Sequence, residues 1–290
     1  MKKTIIKAAS LALATISAVS FASCNADKLL VGKEYVVADS QLAALMKLDK
    51  GEADVAVIDS VMAGYYTSTG DYASKMQIVD GLVFAEESYG VAAKKGNNAL
   101  MSKINEALIA IRTTGYADLV EEYNLSSSVA LTADTTDPYA NATDSSWTNL
   151  ISDDNPTLVI GYTEFAPIAY KENDEWIGFD IELAKATVAY LNQTYSTNIE
   201  LNFQIIDWNA KESLLENGTI DLVWNGMTIT PAREAEMCIS VPYLFNKQVA
   251  VILKSDAAKY TDKASMAKAI MTAETGSAGE TVIIGEKDAE

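Results

Sequence analysis

The chain has 290 residues, enough for one large or two medium domains, and its 49% apolar content is that of a globular protein. It contains no histidine, which excludes histidine metal sites, Ser-His-Asp and Cys-His nucleophile systems and the commonest general base. Forty acidic residues against 22 basic ones give a net charge of −18. That argues against nucleic acid as a partner, since phosphate contact needs basic surface, and leaves a small zwitterionic ligand compatible.

In chain order, "MKKTIIK" is a basic leader and residues 8–22 form an apolar run too short to span a bilayer, so residues 1–23 are expected to be a signal peptide. The run ends in "FASC", small residues before Cys24, as in a bacterial lipobox with Phe21 where leucine is usual. Lipidation of Cys24 would anchor the chain to the outer face of the cytoplasmic membrane. The alternative is an ordinary secretory signal with an incidental cysteine. Cys238 then has no partner and is expected to be a small buried residue, with no disulfide.

Strand and helix patterns alternate from there on. "YVVADS" precedes the helix pattern "QLAALMKLDKGE", with Leu42, Leu45, Met46 and Leu48 at helical spacing and Gly51 at its stop. The strand "DVAVID" at 54–59 leads into a helix from Ser60, and residues 104–123 read as one or two amphipathic helices. Residues 126–146, rich in Ser, Thr, Asp and Ala and without periodicity, read as a linker. A strand at 157–162, a helix at 179–193, a strand at 199–206, a helix stopped by Gly218 and a strand at 221–226 follow. Thr230 is placed to cap a helix with Pro231 at its first position. "QVAVILK" and "AIMTAE" are strands, and "TGSAGE" turns into a last helix. The pattern predicts an α/β fold with largely parallel sheets.

Ligands of such folds sit beyond the carboxyl ends of strands. Glu164 and Phe165 follow one strand; Gly226 and Thr228 follow another; Gly276, Ser277 and Ala278 follow a third; Asp59 ends a fourth. Arg233 is one of only two arginines in a chain that otherwise uses lysine, and a planar two-pronged donor suits a carboxylate. The "TGSAG" turn offers backbone N–H groups to an anion. Asp59 and the Gly226 carbonyl suit an ammonium group, and Phe165 a ligand side chain. Taken singly, each residue has a plainer role: Arg233 on a helix surface, Asp59 as a helix cap, Phe165, Trp208 and Trp224 in the core, "TGSAGE" as a common turn. Their joint placement at strand ends points to an α-amino acid.

"TLVIGYTEFAPIAY", "WIGFDIELAKA" and "IDWNAKESLLENGTIDLVWNGMTITPAR" closely resemble the first half of bacterial polar amino-acid solute-binding proteins, the extracytoplasmic receptors of ABC importers. "ETGSAGE" resembles their second-lobe anion turn. "YVVADSQLAALMKLDKGEADVAVIDSVMAGYY" and "YGVAAKKGNNALMSKINEALIAIRTTGYADLVEEYNL" resemble their second half, which here comes first. The resemblance implies a two-lobed periplasmic-binding-protein-like α/β fold of type 2, with a hinge and a circularly permuted order. Lobe two would comprise 25–88 and 255–290, and lobe one 89–125 and 146–254. Residues 126–145 would be a flexible linker joining the family's usual termini, a break of the kind that surface ends tolerate.

Carried over, the resemblance makes Arg233 the carboxylate ligand, helped by Thr228 and the Gly226 backbone. Ser277 and Ala278 become the second-lobe carboxylate site, Asp59 the ammonium-binding acid and Phe165 an aromatic platform. "FAPIAY" carries Ala166 where a first proline is usual, which leaves the ligand side chain open; Glu164 beside it would favour a basic or amide ligand or else face solvent. It further implies a monomer that takes a free amino acid to an ABC permease, with no catalytic residue and no cofactor or metal. Alternatives on the same fold are a sensory or surface interaction module, and a dehydratase of cyclic acids. Replacing Cys24 by serine is expected to abolish incorporation of labelled fatty acid in cells and to release the chain into a soluble fraction.

Overall fold

The structure is a computed structural model and describes residues 34–69, 72–173 and 175–285. The expected signal peptide and Cys24 lie outside the described residues. The first part of the chain forms β1 (Glu34–Ala38), α1 (Gln41–Asp49), β2 (Val55–Asp59), α2 (Ser60–Ser68), β3 (Met76–Tyr89), β4 (Ala92–Lys94), α3 (Asn98–Ala110) and α4 (Gly115–Glu122). The second forms α5 (Ser146–Ile151), β5 (Thr157–Tyr162), the hairpin β6 (Tyr170–Glu172) and β7 (Glu175–Ile177), α6 (Phe179–Tyr195), β8 (Glu200–Ile205), α7 (Lys211–Asn217) and β9 (Leu222–Val223). It continues through α8 (Pro231–Glu236), β10 (Met237–Ile239), β11 (Leu244–Leu253), β12 (Ile270–Glu274) and α9 (Ala278–Ile284).

Local chemistry explains these boundaries. Ser40 caps α1 by accepting the Ala43 N–H at 3.0 Å, and the helix buries Ala44, Leu45 and Leu48 against β2 and β12. Every residue of β2 is buried, as a run without alternation predicts for a central strand. Thr230 accepts the Arg233 N–H and Pro231 opens α8, both as expected. Gly218 takes the left-handed conformation that ends α7.

Two five-stranded sheets result. The first runs β1-β12-β2-β11-β3, with β1, β12 and β2 parallel and β11 antiparallel to both neighbours. The second runs β10-β4-β9-β5-β8, with β9, β5 and β8 parallel. Trp224, Tyr116, Tyr243 and Phe179 fill the core beside the second sheet; Val55, Val57, Ala250 and Met271 belong to a core of the first. Each such large side chain contributes roughly 1.5–3 kcal/mol on removal from water. The chain passes between the sheets at two adjacent points, from Tyr89 to Ala92 and from Ile239 to Leu244, and Tyr89 pairs with Leu244 across them.

Two features differ from the sequence reading. Residues 244–253, expected in the same lobe as β5, pair with β2 and β3 instead, because the crossing is made just upstream at 240–243. Residues 126–145 form no long helix or strand but are fastened rather than loose. Asp137 accepts from Ser102 Oγ and Asn105 Nδ2, both at 2.6 Å, and Val129 bridges to Leu244. Asp144 and Ser146 accept the Ala99 and Leu100 N–H groups, satisfying donors that the start of α3 leaves open. Polar composition did signal the missing periodicity; it could not show that the carboxylates have partners on α3. Asp137→Ala would strip a fully buried Asn105 amide of its acceptor and is expected to cost about 1–3 kcal/mol in urea denaturation.

Candidate ligand-binding site

The carboxyl ends of both parallel cores converge on one small cavity. The second sheet supplies Phe165 beyond β5, Trp208 beyond β8, Gly226 and Thr228 beyond β9, and Arg233 from α8. The first supplies Gln41 beyond β1, Asp59 at the end of β2, Glu274 at the end of β12, and Ser277 and Ala278 beyond it. This is the crevice position expected of open parallel sheets. The enclosed space is about 20 Å³, room for one water-sized body.

Asp59 is 4% exposed and makes no side-chain cap to α2, so the plainer reading of this residue fails. Its carboxylate accepts from Gln41 Nε2, Asn246 Nδ2 and Gln248 Nε2, the last at 2.6 Å. The Tyr89 hydroxyl also acts on this carboxylate. Asn246 and Gln248, on one face of β11, also reach Glu87 near the end of β3, at 3.2 and 2.5 Å, and Thr228 Oγ1 donates to the same carboxylate. Cross-strand register makes this pairing: Gln248 stands opposite Asp59 and Asn246 opposite Glu87. Burial pushes both carboxyl pKa values up, and the charge of Asp59 raises that of Glu87 further.

Arg233 faces this cluster from the other sheet. Its guanidinium donates to the Thr228 carbonyl at 2.8 Å and the Gly276 carbonyl at 3.1 Å, tying the two sheets together. Lys211, 2% exposed, also points at the Gly276 carbonyl, at 3.4 Å, and pairs with Glu212 at 3.1 Å; burial lowers its pKa to about 8. The turn after β12 thus turns a carbonyl toward Arg233. Its Gly276 N–H is taken by Glu280 at 2.8 Å, and Ser277 Oγ donates to the Glu274 carbonyl at 2.7 Å. A second contact between the sheets is made by Tyr65 of α2 and Tyr170 of β6, whose rings lie 6.0 Å apart.

Gly226 sits at φ +61°, and a Cβ there would lie 2.6 Å from the Phe165 ring. Only glycine gives both the conformation and the room. Its N–H donates at 2.7 Å to Asp180, a 1% exposed carboxylate that also accepts the Tyr243 hydroxyl at 2.7 Å. Burial pushes the Asp180 pKa up to about 7.

Arg233, Thr228, Gly226, Asp59, Phe165, Ser277 and Ala278 all line the cavity. Glu164 does not: it is exposed, and its charge is felt instead by the hydroxyl of Tyr66 on α2. Phe165 turns inward through backbone bonds with Ala169, leaving the preceding carboxylate in water. Trp208, assigned to the core, lies at 7% exposure on the cavity wall, whereas Trp224 is core as expected. Sequence reasoning missed Gln41, Glu87, Lys211, Asn246, Gln248 and Glu274. Two carried a signal: Asn246 and Gln248 are polar side chains two apart on a strand, hence on one face.

Residues 158–276 match the sequence profile described as bacterial extracellular solute-binding proteins, family 3. The arginine-binding extracellular protein ArtP of Bacillus subtilis (strain 168) is 36% identical over 87 residues, 30% of this chain and 32% of that protein. The virulence sensor protein BvgS of Bordetella bronchiseptica (strain ATCC BAA-588 / NCTC 13252 / RB50) is 28% identical over 221 residues, 74% of this chain and 16% of that one. The crystal structure of a polar amino acid ABC uptake transporter substrate binding protein from Streptococcus thermophilus is 38% identical over 34% of this chain and 35% of that chain, with a TM-score of 0.27. The chain spans a third or less of the length of both curated relatives. The resemblance therefore stands for residues 158–276, and the family concerned is one of solute-binding proteins.

The raised carboxyl groups set a pH dependence. Asp180 titrates at about 7 and Glu274 at about 8 in the fold, against ordinary values near 4 in the unfolded chain. Between about pH 4.5 and 7 the native state holds protons that the unfolded state has lost, so stability falls as pH rises through this window. The melting temperature of the ligand-free protein is expected to drop across it, and Asp180→Asn to flatten the slope in the same thermal scan.

Proposed function

We propose that this protein is the capture component of an amino-acid importer. It binds a free α-amino acid between its two sheets and presents the closed form to an ABC permease from outside the cell membrane, anchored there by a lipidated Cys24. One observation carries this reading. Arg233 on one side and Asp59 on the other face a single cavity at the carboxyl ends of two parallel strand sets. An α-amino acid has the matching pair of charges, a carboxylate for the guanidinium and an ammonium for Asp59. Phe165 and Trp208 bound the space for its side chain. The names of the relatives, an arginine-binding protein among them, point the same way.

Ligand entry requires the sheets to part about the adjacent crossings at Tyr89–Ala92 and Ile239–Leu244, since the closed cavity holds only about 20 Å³. Arg233 then exchanges its two carbonyl partners for the ligand carboxylate. Affinity for the closed arrangement over the open one is what shifts the population.

The order of the halves is read as a circular permutation. β12, α9 and β1 have the relation of a strand–helix–strand unit, parallel neighbours with a helix following the first, yet they come from opposite ends of the chain. Residues 126–145 take the part of the join. A second reading, a sensory module on the same fold, is favoured by the long match to a sensor protein; loss of amino-acid uptake in a deletion strain, restored by the gene, separates the two.

Isothermal titration of the purified chain with the common amino acids tests the proposal. Arg233→Ala is expected to weaken binding of whichever amino acid binds by about 3–5 kcal/mol, because it leaves a desolvated carboxylate unpaired. Arg233→Lys recovers part of the loss, keeping the charge without the fork. Unchanged affinity in Arg233→Ala removes this residue from the site.

A further inference from the structure

Resting on the amino-acid reading above, we infer that Lys211 is a positioning residue for closure: it keeps hold of the Gly276 carbonyl once Arg233 has turned to the ligand carboxylate, and so sets how long the bound amino acid stays.

One carbonyl is shared by two cations. The Gly276 oxygen, beyond β12 of the first sheet, accepts from Arg233 of α8 at 3.1 Å and from Lys211 of α7 at 3.4 Å. Both helices pack on the second sheet. A carbonyl oxygen has two lone pairs, so the two bonds can exist together. Arg233 lines the cavity, whereas Lys211 stands behind it. When a ligand carboxylate takes the guanidinium, the carbonyl loses that donor and keeps the lysine. A bond of 3.4 Å is long, and it has room to shorten once the acceptor is no longer shared.

The fit around Gly276 is close. It stands at φ +70°, and a Cβ there would lie 3.1 Å from Asn209 Oδ1 and 3.7 Å from Lys211 Nζ. The turn after β12 is thus seated against the residues that lead into α7. Lys211 is also held from its own side. Its Nζ donates to the Trp208 carbonyl at 3.2 Å, lies 4.8 Å from the centre of the Trp208 ring and pairs with Glu212 at 3.1 Å. Those contacts persist when the sheets part, whereas the bond to Gly276 is made by closing. Its loss therefore bears on the closed population and not on the fold.

Charge links this contact to the ligand. Burial first, then the like charge of Arg233, lowers the Lys211 pKa to about 8; Glu212 and Glu274 act against this. Lys211 is thus charged at pH 7. Glu274, with its pKa pushed up to about 8, is largely protonated there, so Glu212 supplies the opposing charge. A carboxylate arriving on Arg233 offsets the repulsion and strengthens the lysine bond at the moment of binding.

Stopped-flow binding of L-arginine, L-histidine and L-glutamine to the full chain and to Lys211→Met tests this. Methionine keeps an unbranched apolar stem and loses the donor. For whichever of the three binds, the expected result is dissociation about tenfold faster in Lys211→Met, with the association rate within about twofold. The melting temperature without amino acid is expected to be no lower. Small-angle scattering at saturating amino acid is expected to show the variant more open than the unaltered chain. Unchanged dissociation overturns the inference and leaves the amino-acid reading in place. Weaker binding that comes with a lower melting temperature also overturns it, since the role is then structural. If Lys211→Met does not melt cooperatively, Lys211→Gln takes its place in the same measurements. Binding of none of the three by the unaltered chain overturns the inference, and a wider amino-acid screen then decides the reading beneath it.

Discussion

The arrangement depends on how a buried carboxylate is kept charged or neutral away from water. Asp59 ends a strand buried on both faces, where an unpaired charge would cost several kcal/mol. The fold answers with amide side chains, which donate without adding charge. Gln41 comes from α1 and Asn246 and Gln248 from β11, so the site has the position of every element around β2 written into it. Since β11 also holds Glu87 of β3, the same two amides join Asp59 to the strand that leads into the crossing. Site and crossing are mechanically continuous.

On the opposite side the logic is similar with different parts. Asp180 holds the Gly226 backbone in a conformation that only glycine adopts readily, and Phe165 closes over the space a side chain would have filled. The loop that carries Thr228 and leads to Arg233 is therefore held at Gly226, and Thr228 pairs with Tyr89 at the crossing. Arg233, by contrast, is held by two backbone carbonyls, partners that it can release without leaving a buried charge behind. Supports held in this way and an exchangeable guanidinium are the combination that a binding cleft needs.

Elements and strand ends were legible because they rest on local chemistry: apolar period, Ser40 and Thr230 caps, the Gly218 stop. The convergence of Arg233, Asp59, Phe165 and Ser277 followed from one rule about parallel sheets. What was not legible depends on contacts far apart in sequence. Glu87 and Asn246 are 159 residues apart, and nothing near either one foretells the other. The fastening of 126–145 was out of sight for the same reason, since the partners of Asp137 and Asp144 lie on α3. Glu164 was singled out because it follows a strand, but the backbone bonds between Phe165 and Ala169 turn its neighbour inward instead.

The strand order of the first sheet has a further consequence. It interleaves strands from the two parts of the chain: β1, β2 and β3 are never neighbours of one another, and each is separated from the next by β12 or β11. No hydrogen-bonded ladder of this sheet can form until residues 244–274 are available, however long residues 34–89 have been out of the ribosome. Every pairing in it closes a loop of well over a hundred residues, the slowest kind of contact to make. Residues 34–89 alone therefore cannot assemble this sheet during synthesis. Such delay is a hazard for a protein that folds where it is made, and an advantage for one that must first be threaded through a membrane.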